Sequence, residues 1–196
     1  MNVKNSLISV GDCVLIIIDI QDHFLARLPP ERSELLINRV GWLMEIAKIL
    51  HVPMVVTTEE PDSYEGFLPS LAEKLPPGTP IFNKTVFGLA GQPDILKAVQ
   101  QTKRNTAVLV GMETDVCVSH SAIGLMQNGF QVVTISDATD SPGGSHEIGL
   151  ERMKEAGVLV TSLKGLYYEW IRTVSMSNTI DEEHGKRIGT PKGIVL

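Results

Sequence analysis

The sequence predicts an α/β fold, in which a mostly parallel six-stranded sheet lies between two layers of helices. Short apolar runs rich in β-branched residues alternate with segments whose apolar residues recur at helical spacing. The run at 13–18 is apolar throughout, as expected for a strand buried on both faces. The 196 residues fit one domain with a sizeable core. Strands and helices that alternate in this way typically form a parallel sheet covered on both faces.

Each predicted strand is a short, mostly apolar run bounded by turn-forming residues. The third strand has the weakest pattern, and it follows the turn Pro76-Pro77-Gly78. The predicted strands are 13–18, 53–57, 81–83, 107–110, 131–136 and 158–161.

The predicted helices lie between these strands and carry apolar residues along one side. In the first of them, 34–50, the apolar residues recur at helical spacing, and Gly129 and Gly157 end two later helices. The predicted helices are 34–50, 93–102, 118–126, 145–156 and 163–174.

The last 22 residues differ in pattern from the rest of the chain. We therefore expect one domain at 1–174 and a separate tail at 175–196. The tail has mixed charge, Gly and Pro, and weak periodicity, which predicts either a disordered terminus or an arm packed on a partner subunit. The apolar end at 193–196 favours the arm.

Composition and charge argue against several classes of partner. The net charge is −6 and no stripe of Lys and Arg is present, so nucleic acid and anionic membrane surfaces are not expected partners. No apolar run has the length of a membrane span, and residues 1–10 lack a signal-peptide pattern. The two cysteines, Cys13 and Cys117, have no CxxC spacing, which favours a reducing compartment. We expect a cytoplasmic protein.

Cys117 lies in the segment Gly-Met-Glu-Thr-Asp-Val-Cys-Val at 111–118, between a predicted strand and a predicted helix. Open α/β sheets place their chemistry at the carboxyl ends of strands. A helix amino terminus lowers the pKa of a thiol, and the thiolate is the nucleophilic form. A buried cysteine is also a common small core residue. Position alone therefore leaves the catalytic and structural interpretations of Cys117 open, whereas Cys13 is predicted to be structural.

Two charged residues, Asp19 and Lys84, are expected at the same edge of the sheet. Asp19 ends the first strand, where a carboxylate costs desolvation unless it is paired or used. It is either a helix cap or a general acid/base beside Cys117. Lys84 is flanked by Phe82 and Phe87, which is unusual for a solvated loop, although most lysines are simply exposed. Beside the other two residues it would balance the carboxylate and lower the thiol pKa.

Together these residues resemble the isochorismatase-like cysteine hydrolases, a superfamily that includes nicotinamidases, N-carbamoylsarcosine amidases and ureidoacrylate amidohydrolases. The resemblance runs from Asp12 to Arg172. It rests on Asp19 in a strand-D-x-Q context, Lys84 before Thr-x-Phe-Gly, and the pattern G-x-x-T-D-x-C-V around Cys117. It implies a three-layer, Rossmann-like fold and a catalytic triad formed by these three residues.

The resemblance also implies a mechanism. Asp19 would take the proton of Cys117, the thiolate would attack an amide-type carbonyl, and water activated by Asp19 would hydrolyse the thioester. Lys84 would balance charge, and no cofactor would be required. A cis peptide at Met112-Glu113 would turn the Glu113 amide toward the substrate, so that the Glu113 and Cys117 amides form an oxyanion hole.

A pocket for a small-molecule substrate is predicted around the triad, without a metal. Nicotinamidases carry a D-x-H-x-H metal motif after the second strand, but the corresponding stretch at 57–64 contains no histidine. Oxygens of Glu59, Glu60 and Asp62 could hold a hard cation, yet a solvated acidic loop is the commoner arrangement. The candidate pocket residues are His23, Phe24, Tyr64, Phe87 and His120.

Four functions are compatible with this pattern. The leading one is hydrolysis of a small amide, ureido or carbamoyl C–N bond. The second is vinyl ether hydrolysis of the isochorismatase type, which can proceed without a nucleophilic cysteine. The third is a catalytically idle assembly or binding protein, which predicts a disrupted triad. A redox-sensing cysteine is the weakest, because no second cysteine is close in sequence. The resemblance further implies a homo-oligomer, with 163–170 and the tail as candidate interface.

Overall fold

The computed structural model describes residues 7–196 and contains a six-stranded sheet with helices on both faces. The strand order is β3-β2-β1-β4-β5-β6, and every neighbouring pair is parallel. The predicted three-layer α/β fold is confirmed, with a sheet that is parallel throughout. The strands are β1 (Cys13–Ile18), β2 (Met54–Glu59), β3 (Ile81–Lys84), β4 (Thr106–Met112), β5 (Gln131–Asp140) and β6 (Leu159–Thr161).

The helices connect these strands, and the longest is α2. A π-helical turn, Thr114–Val118, leads from β4 into α6. Among residues 7–196, no helix combines the length and the hydropathy that crossing a bilayer requires. The helices are α1 (Asp22–Leu25), α2 (Pro30–Ile49), α3 (Pro61–Tyr64), α4 (Pro69–Ala72), α5 (Pro93–Gln101), α6 (Ser119–Gln127), α7 (Ser145–Glu155), α8 (Leu163–Ile171), α9 (Val174–Ile180) and α10 (Lys186–Ile188).

The core consists of two apolar layers, one on each face of the sheet. Alternate residues of β1 point into different layers: Leu15 and Ile17 pack with α2 and α8, whereas Val14 and Ile16 pack with α5, α6 and α7. All four side chains are fully buried, which explains the uninterrupted apolar run. β1 lies in the middle of the sheet. Asp19 directly follows β1 and therefore lies at the carboxyl edge of the sheet.

Several strands extend further than predicted, and β2 and β5 do so with polar residues. β2 continues to Glu59 instead of ending at residue 57, and β5 continues to Asp140 instead of residue 136. The backbone hydrogen bonds between strands do not depend on side-chain polarity, so polar residues can continue a strand that is paired with a neighbour. Glu59 lies in register with Lys84 of β3. The extension of β2 therefore carries a carboxylate to the edge of the sheet where Asp19 and Lys84 lie.

The tail folds back on α2 of the same chain. Trp42 donates through Nε1 to the Gly189 carbonyl at 2.9 Å, and Arg187 pairs with Glu45 at 2.6 Å. The candidate interface at 163–170 is largely unavailable, because its apolar residues, except the partly exposed Tyr168, pack in the chain's own core. A role for 175–196 as an oligomerisation arm stays a prediction.

Gly111 is expected to be a sensitive position of the sheet. It pairs with Ile18 across β1 and β4 and has a φ of +120°, and a Cβ there would collide with the Ile18 carbonyl oxygen. We expect Gly111→Ala to lower the free energy of unfolding by at least about 3 kcal/mol, through overpacking and backbone strain. Urea denaturation measures this. Gly11→Ala, where a Cβ has open space, is the control, and equal losses in both variants would contradict the prediction.

Candidate active site

The three predicted triad residues meet at the carboxyl edge of the sheet. Asp19 follows β1, Lys84 is the last residue of β3, and Cys117 lies in the π-helical turn after β4. Lys84 Nζ lies 3.0 Å from Asp19 Oδ2 and 3.6 Å from Cys117 Sγ. Three elements far apart in sequence thus bring a carboxylate, an ammonium and a thiol into mutual contact.

Lys84 is the central cation of the site. Its side chain is 0% exposed, and its ammonium also lies 3.0 Å from Glu59 Oε2. Burial works to lower the pKa of this lysine, but the negative charges of Asp19 and the neighbouring groups outweigh it and raise the pKa. Lys84 is therefore charged at neutral pH and lies between two carboxylates.

Asp19 is buried more deeply than Glu59, the other acid that contacts Lys84. Its Oδ1 accepts a hydrogen bond from Thr57 Oγ1 at 2.8 Å. Its Oδ2 is at ion-pair distance from Lys84 but has no donor of hydrogen-bond geometry among the described residues. Its backbone is left-handed, with φ of 50°, a conformation that aspartate tolerates better than most residues. Burial raises the pKa of Asp19, and the Lys84 charge only partly opposes this.

The Cys117 thiol is buried and donates a hydrogen bond to Glu59 Oε2 at 3.3 Å. Burial raises the pKa of this thiol well above its usual value, and the charges of Asp19 and Glu59 add to the effect, while Lys84 opposes it. Lys84 acts to lower this pKa, as expected, but burial and the two carboxylates outweigh it, so the net shift is upward. The resting group is a thiol, which needs a base when it reacts.

Glu59 is the site residue that the sequence analysis missed. The interpretation as a solvated loop holds for the exposed Glu60 and Asp62 but is wrong for Glu59, which contacts Lys84 and Cys117. Gln21 fixes its backbone: Oε1 accepts from the Glu59 N–H at 2.7 Å, and Nε2 donates to the Glu59 carbonyl at 3.0 Å. Its place at the end of a strand beside β1 is the signal that could have revealed it.

The oxygens of Asp19 and Glu59 and the sulfur of Cys117 lie within 4.8 Å of one another, as metal ligands do. However, Lys84 places its ammonium 3.0 Å from both carboxylates. The positive charge that a metal ion would bring is thus supplied by a side chain. The donor set fits a lysine-centred ion cluster better than a metal centre.

A small cavity of about 100 Å³ opens onto this cluster. Asp19, Glu59 and Cys117 line it, together with the aromatic side chains Phe24, Tyr64 and Phe87. The cavity can take only a small group, and its walls favour a planar or apolar one.

The two candidate histidines contact aromatic residues of the cavity wall. The His23 ring stacks on Tyr64 at 4.3 Å between centroids, and the exposed His120 lies edge-on to Phe87 at 6.1 Å. Arg27, which the sequence analysis did not single out, lines the cavity and pairs with Glu113 at 3.2 Å. The cavity is therefore also lined by one basic and one acidic side chain, Arg27 and Glu113, and solvent can reach both.

The turn that carries Cys117 is fixed by side chains of α7 and of the residue that follows β5. The Met112–Glu113 peptide is cis. A hydrogen bond of 2.8 Å joins Thr114 Oγ1 to His146 Nδ1, and Ser141 Oγ donates to Asp115 Oδ1 at 2.7 Å. These contacts hold the backbone around the thiol in place. Participation of the Glu113 and Cys117 amides in an oxyanion hole stays a prediction.

Comparison with known proteins decides the family. Residues 13–164 match the family model described as the Isochorismatase domain. The chain belongs to the isochorismatase family. The resemblance predicted from the three motifs is thereby confirmed, and the family is one of isochorismatase-like hydrolases. Isochorismatase family protein 1B of Dictyostelium discoideum is 27% identical over 165 residues, which cover 81% of this chain and 78% of the relative.

Solved structures of other isochorismatase-like proteins share the fold. The MAR1 ribonuclease of Caenorhabditis elegans superimposes with a TM-score of 0.82 at 23% identity, covering 97% of this chain and 98% of that one. YcaC of Escherichia coli, described as an octameric hydrolase of unknown specificity, superimposes with a TM-score of 0.81 at 22% identity, covering 94% and 93%. At these identities the likeness shows the architecture of this family member.

Proposed function

We propose that this isochorismatase family member is a cysteine-dependent amidohydrolase that cleaves a small amide, ureido or carbamoyl C–N bond. One observation carries the proposal: the Cys117 sulfur lies at the base of a small cavity, 3.6 Å from the Lys84 ammonium and 3.3 Å from a carboxylate. A thiol with a base and a cation at contact distance is the arrangement that nucleophilic catalysis of acyl transfer needs.

The reaction proceeds through a thioester. A neighbouring carboxylate, Asp19 by resemblance to the family, takes the Cys117 proton, and the thiolate attacks the carbonyl carbon. The amides of Glu113 and Cys117 hold the oxyanion, and the protonated carboxyl gives its proton to the leaving nitrogen. Water then hydrolyses the thioester. Lys84 keeps its charge throughout and limits the accumulation of negative charge.

The substrate is a small molecule. The cavity of about 100 Å³ excludes large groups from the sulfur. YcaC of Pseudomonas aeruginosa, which superimposes with a TM-score of 0.80 at 21% identity, has been solved with covalent acrylamide. Acrylamide alkylates nucleophilic side chains through its double bond, so this adduct supports a reactive nucleophile in a protein of this fold.

The protein is proposed to act as a homo-oligomer, of two or more subunits, in the cytoplasm. The octameric description of Escherichia coli YcaC supports assembly. The net charge of −6 and the free thiols Cys13 and Cys117 favour a reducing compartment without a nucleic-acid partner.

A screen for released ammonia tests the proposed function. Small primary amides, ureido acids and carbamoyl compounds are incubated with the wild-type protein and with Cys117→Ser. We expect at least one compound to release ammonia with the wild type and none to do so above background with the variant. Equal release by both proteins, or none by the wild type from any of the three classes, would count against the amidohydrolase.

A further inference from the structure

Arg27 and Glu113 form an ion pair in the wall of the cavity that contains Cys117. Both side chains line this cavity, and Arg27 Nη1 lies 3.2 Å from Glu113 Oε1. The two residues are 86 positions apart in sequence. Under the proposed mechanism the Glu113 amide holds the oxyanion, so the carboxylate of the same residue lies within one side-chain length of the substrate carbonyl. The pair can therefore contact the part of a substrate next to the scissile bond.

Several contacts hold the Arg27 guanidinium in this position. Nη2 lies 2.6 Å from His23 Nε2, and the guanidinium carbon lies 5.1 Å from the centroid of the Phe24 ring. The His23 ring in turn stacks on Tyr64, another residue of the cavity wall. The arginine side chain is 45% exposed, and an ion pair with that exposure adds little to stability. Stability gives little reason for this arrangement, whereas a binding group has to be held in one orientation.

The pair offers a hydrogen-bond donor and an acceptor side by side. The contact uses one carboxylate oxygen and one guanidinium nitrogen, whereas a carboxylate has two oxygens and a guanidinium has five N–H donors. An amide, ureido or carbamoyl group carries the matching atoms, a carbonyl oxygen that accepts and an N–H that donates. Both hydrogen bonds would involve a charged partner, which makes them stronger than bonds between neutral groups. Such a substrate group can bind the pair without breaking it.

A charged substrate group fits this pair less well. A carboxylate would be attracted by Arg27 but repelled by Glu113, and an ammonium group would be repelled by Arg27. In addition, three acidic side chains line the cavity, Asp19, Glu59 and Glu113, and one basic side chain, Arg27. The cavity therefore selects against an anionic substrate more strongly than against a neutral one.

We propose that Arg27 and Glu113 form a specificity subsite for an uncharged amide, ureido or carbamoyl group, so that the preferred substrate carries a second group of this kind beside the scissile C–N bond. Arg27 donates to the carbonyl oxygen of this second group, and Glu113 accepts from its N–H. Neither residue takes part in a proton transfer. The inference rests on the proposed function, because it names the substrate class of the same amidohydrolase.

Three small primary amides that differ only at their far end test the subsite. Malonamide ends in a second amide, malonamate in a carboxylate and propionamide in a methyl group. Ammonia release gives kcat/KM for each, and the malonamide value is divided by two for its two equivalent amides. We expect the wild type to prefer malonamide over propionamide by at least about tenfold, mainly through a lower KM, and to hydrolyse malonamate most slowly.

Two substitutions change this preference in different ways. In Arg27→Met the donor is lost, and the ratio of malonamide to propionamide is expected to fall at least about fivefold. In Glu113→Gln the arginine loses its partner charge, so kcat/KM for malonamate is expected to rise at least about tenfold relative to malonamide. Arg152→Met, at an exposed position of α7, is the control and should keep the wild-type ratios. Comparing ratios between proteins cancels both the intrinsic reactivity of each amide and any loss of folded enzyme.

The possible results separate the subsite from the reaction itself. Wild-type ratios in either Arg27→Met or Glu113→Gln overturn the subsite and leave the amidohydrolase in place. The subsite also fails if the wild type prefers malonamate or propionamide, or if it hydrolyses none of the three amides yet releases ammonia from another compound of the screen. Absence of ammonia from every compound contradicts the proposed function, and the inference fails with it.

Discussion

Replacement of Cys117 by alanine is expected to lower the rate of amide hydrolysis by at least about 10⁴-fold, the scale of loss seen when a catalytic nucleophile is removed. The sulfur is the group at the base of the cavity that can form a covalent bond to a carbonyl carbon. Without it, the carboxylates and Lys84 can only promote slow attack by water. Initial rates of ammonia release, with the best amide from the screen, measure the change.

The matched control for this prediction is Cys13→Ser. Cys13 is the other cysteine of the chain and is buried at the start of β1. Its thiol donates a hydrogen bond to the Ser9 carbonyl, and a serine hydroxyl can donate the same hydrogen bond. We expect this variant to keep the wild-type rate. A Cys117→Ala protein with full activity would contradict the thioester mechanism and favour vinyl ether hydrolysis, which can proceed without a cysteine. A wild type with no hydrolytic activity of either kind would favour the idle binding protein.

The fold and the triad could be predicted because both follow from where apolar strands end. Buried strands are recognised by uninterrupted apolar runs, and in a parallel sheet their carboxyl ends meet at one edge. Asp19 and Cys117 each come soon after such a run, and the three motifs together indicated the family. Local sequence thus contains the information that places these residues, even though each motif alone had an ordinary structural explanation.

Glu59 was harder to identify in this way, because its contact with Lys84 and Cys117 depends on the pairing of β2 with the neighbouring strand. The predicted strand ends at residue 57, and the two polar residues that follow stay in the sheet through pairing with β3. The rise in the Cys117 pKa has a similar origin. It requires the burial of the thiol and the approach of two carboxylates, which only tertiary structure defines.

The packing of the apolar residues of 163–170, which were predicted as a candidate interface, could not be assigned for a related reason. Helix α8 has an apolar face, but periodicity does not tell whether that face packs on the chain's own sheet or on a partner. Leu163 and Leu166 turn inward and join the core layer of α2. The tail contacts α2 of the same chain, and its role as an oligomerisation arm stays a prediction.

Lys84→Met is expected to lower the free energy of unfolding by about 3–5 kcal/mol, since removing one partner of a buried ion pair leaves the other charge uncompensated. The variant keeps a side chain of similar length but leaves Asp19 buried without its cation. Chemical denaturation at pH 7 measures the loss, and Lys97→Met, at an exposed position of α5, is the control. Because the pKa of Lys84 is raised, its contribution is complete at pH 7 and disappears only above the usual lysine range.

The double variant Asp19→Asn/Lys84→Met distinguishes charge from packing. If the loss comes from the uncompensated carboxylate, neutralising Asp19 should restore much of the stability of Lys84→Met, because breaking a buried pair is costly whereas replacing both partners often is not. Hydrolysis should stay abolished in the double variant, since the ammonium beside Cys117 and Glu59 and the carboxylate of Asp19 are both gone. A double variant as unstable as Lys84→Met would show that the methylene stem of the lysine, and not its charge, supports the edge of the sheet.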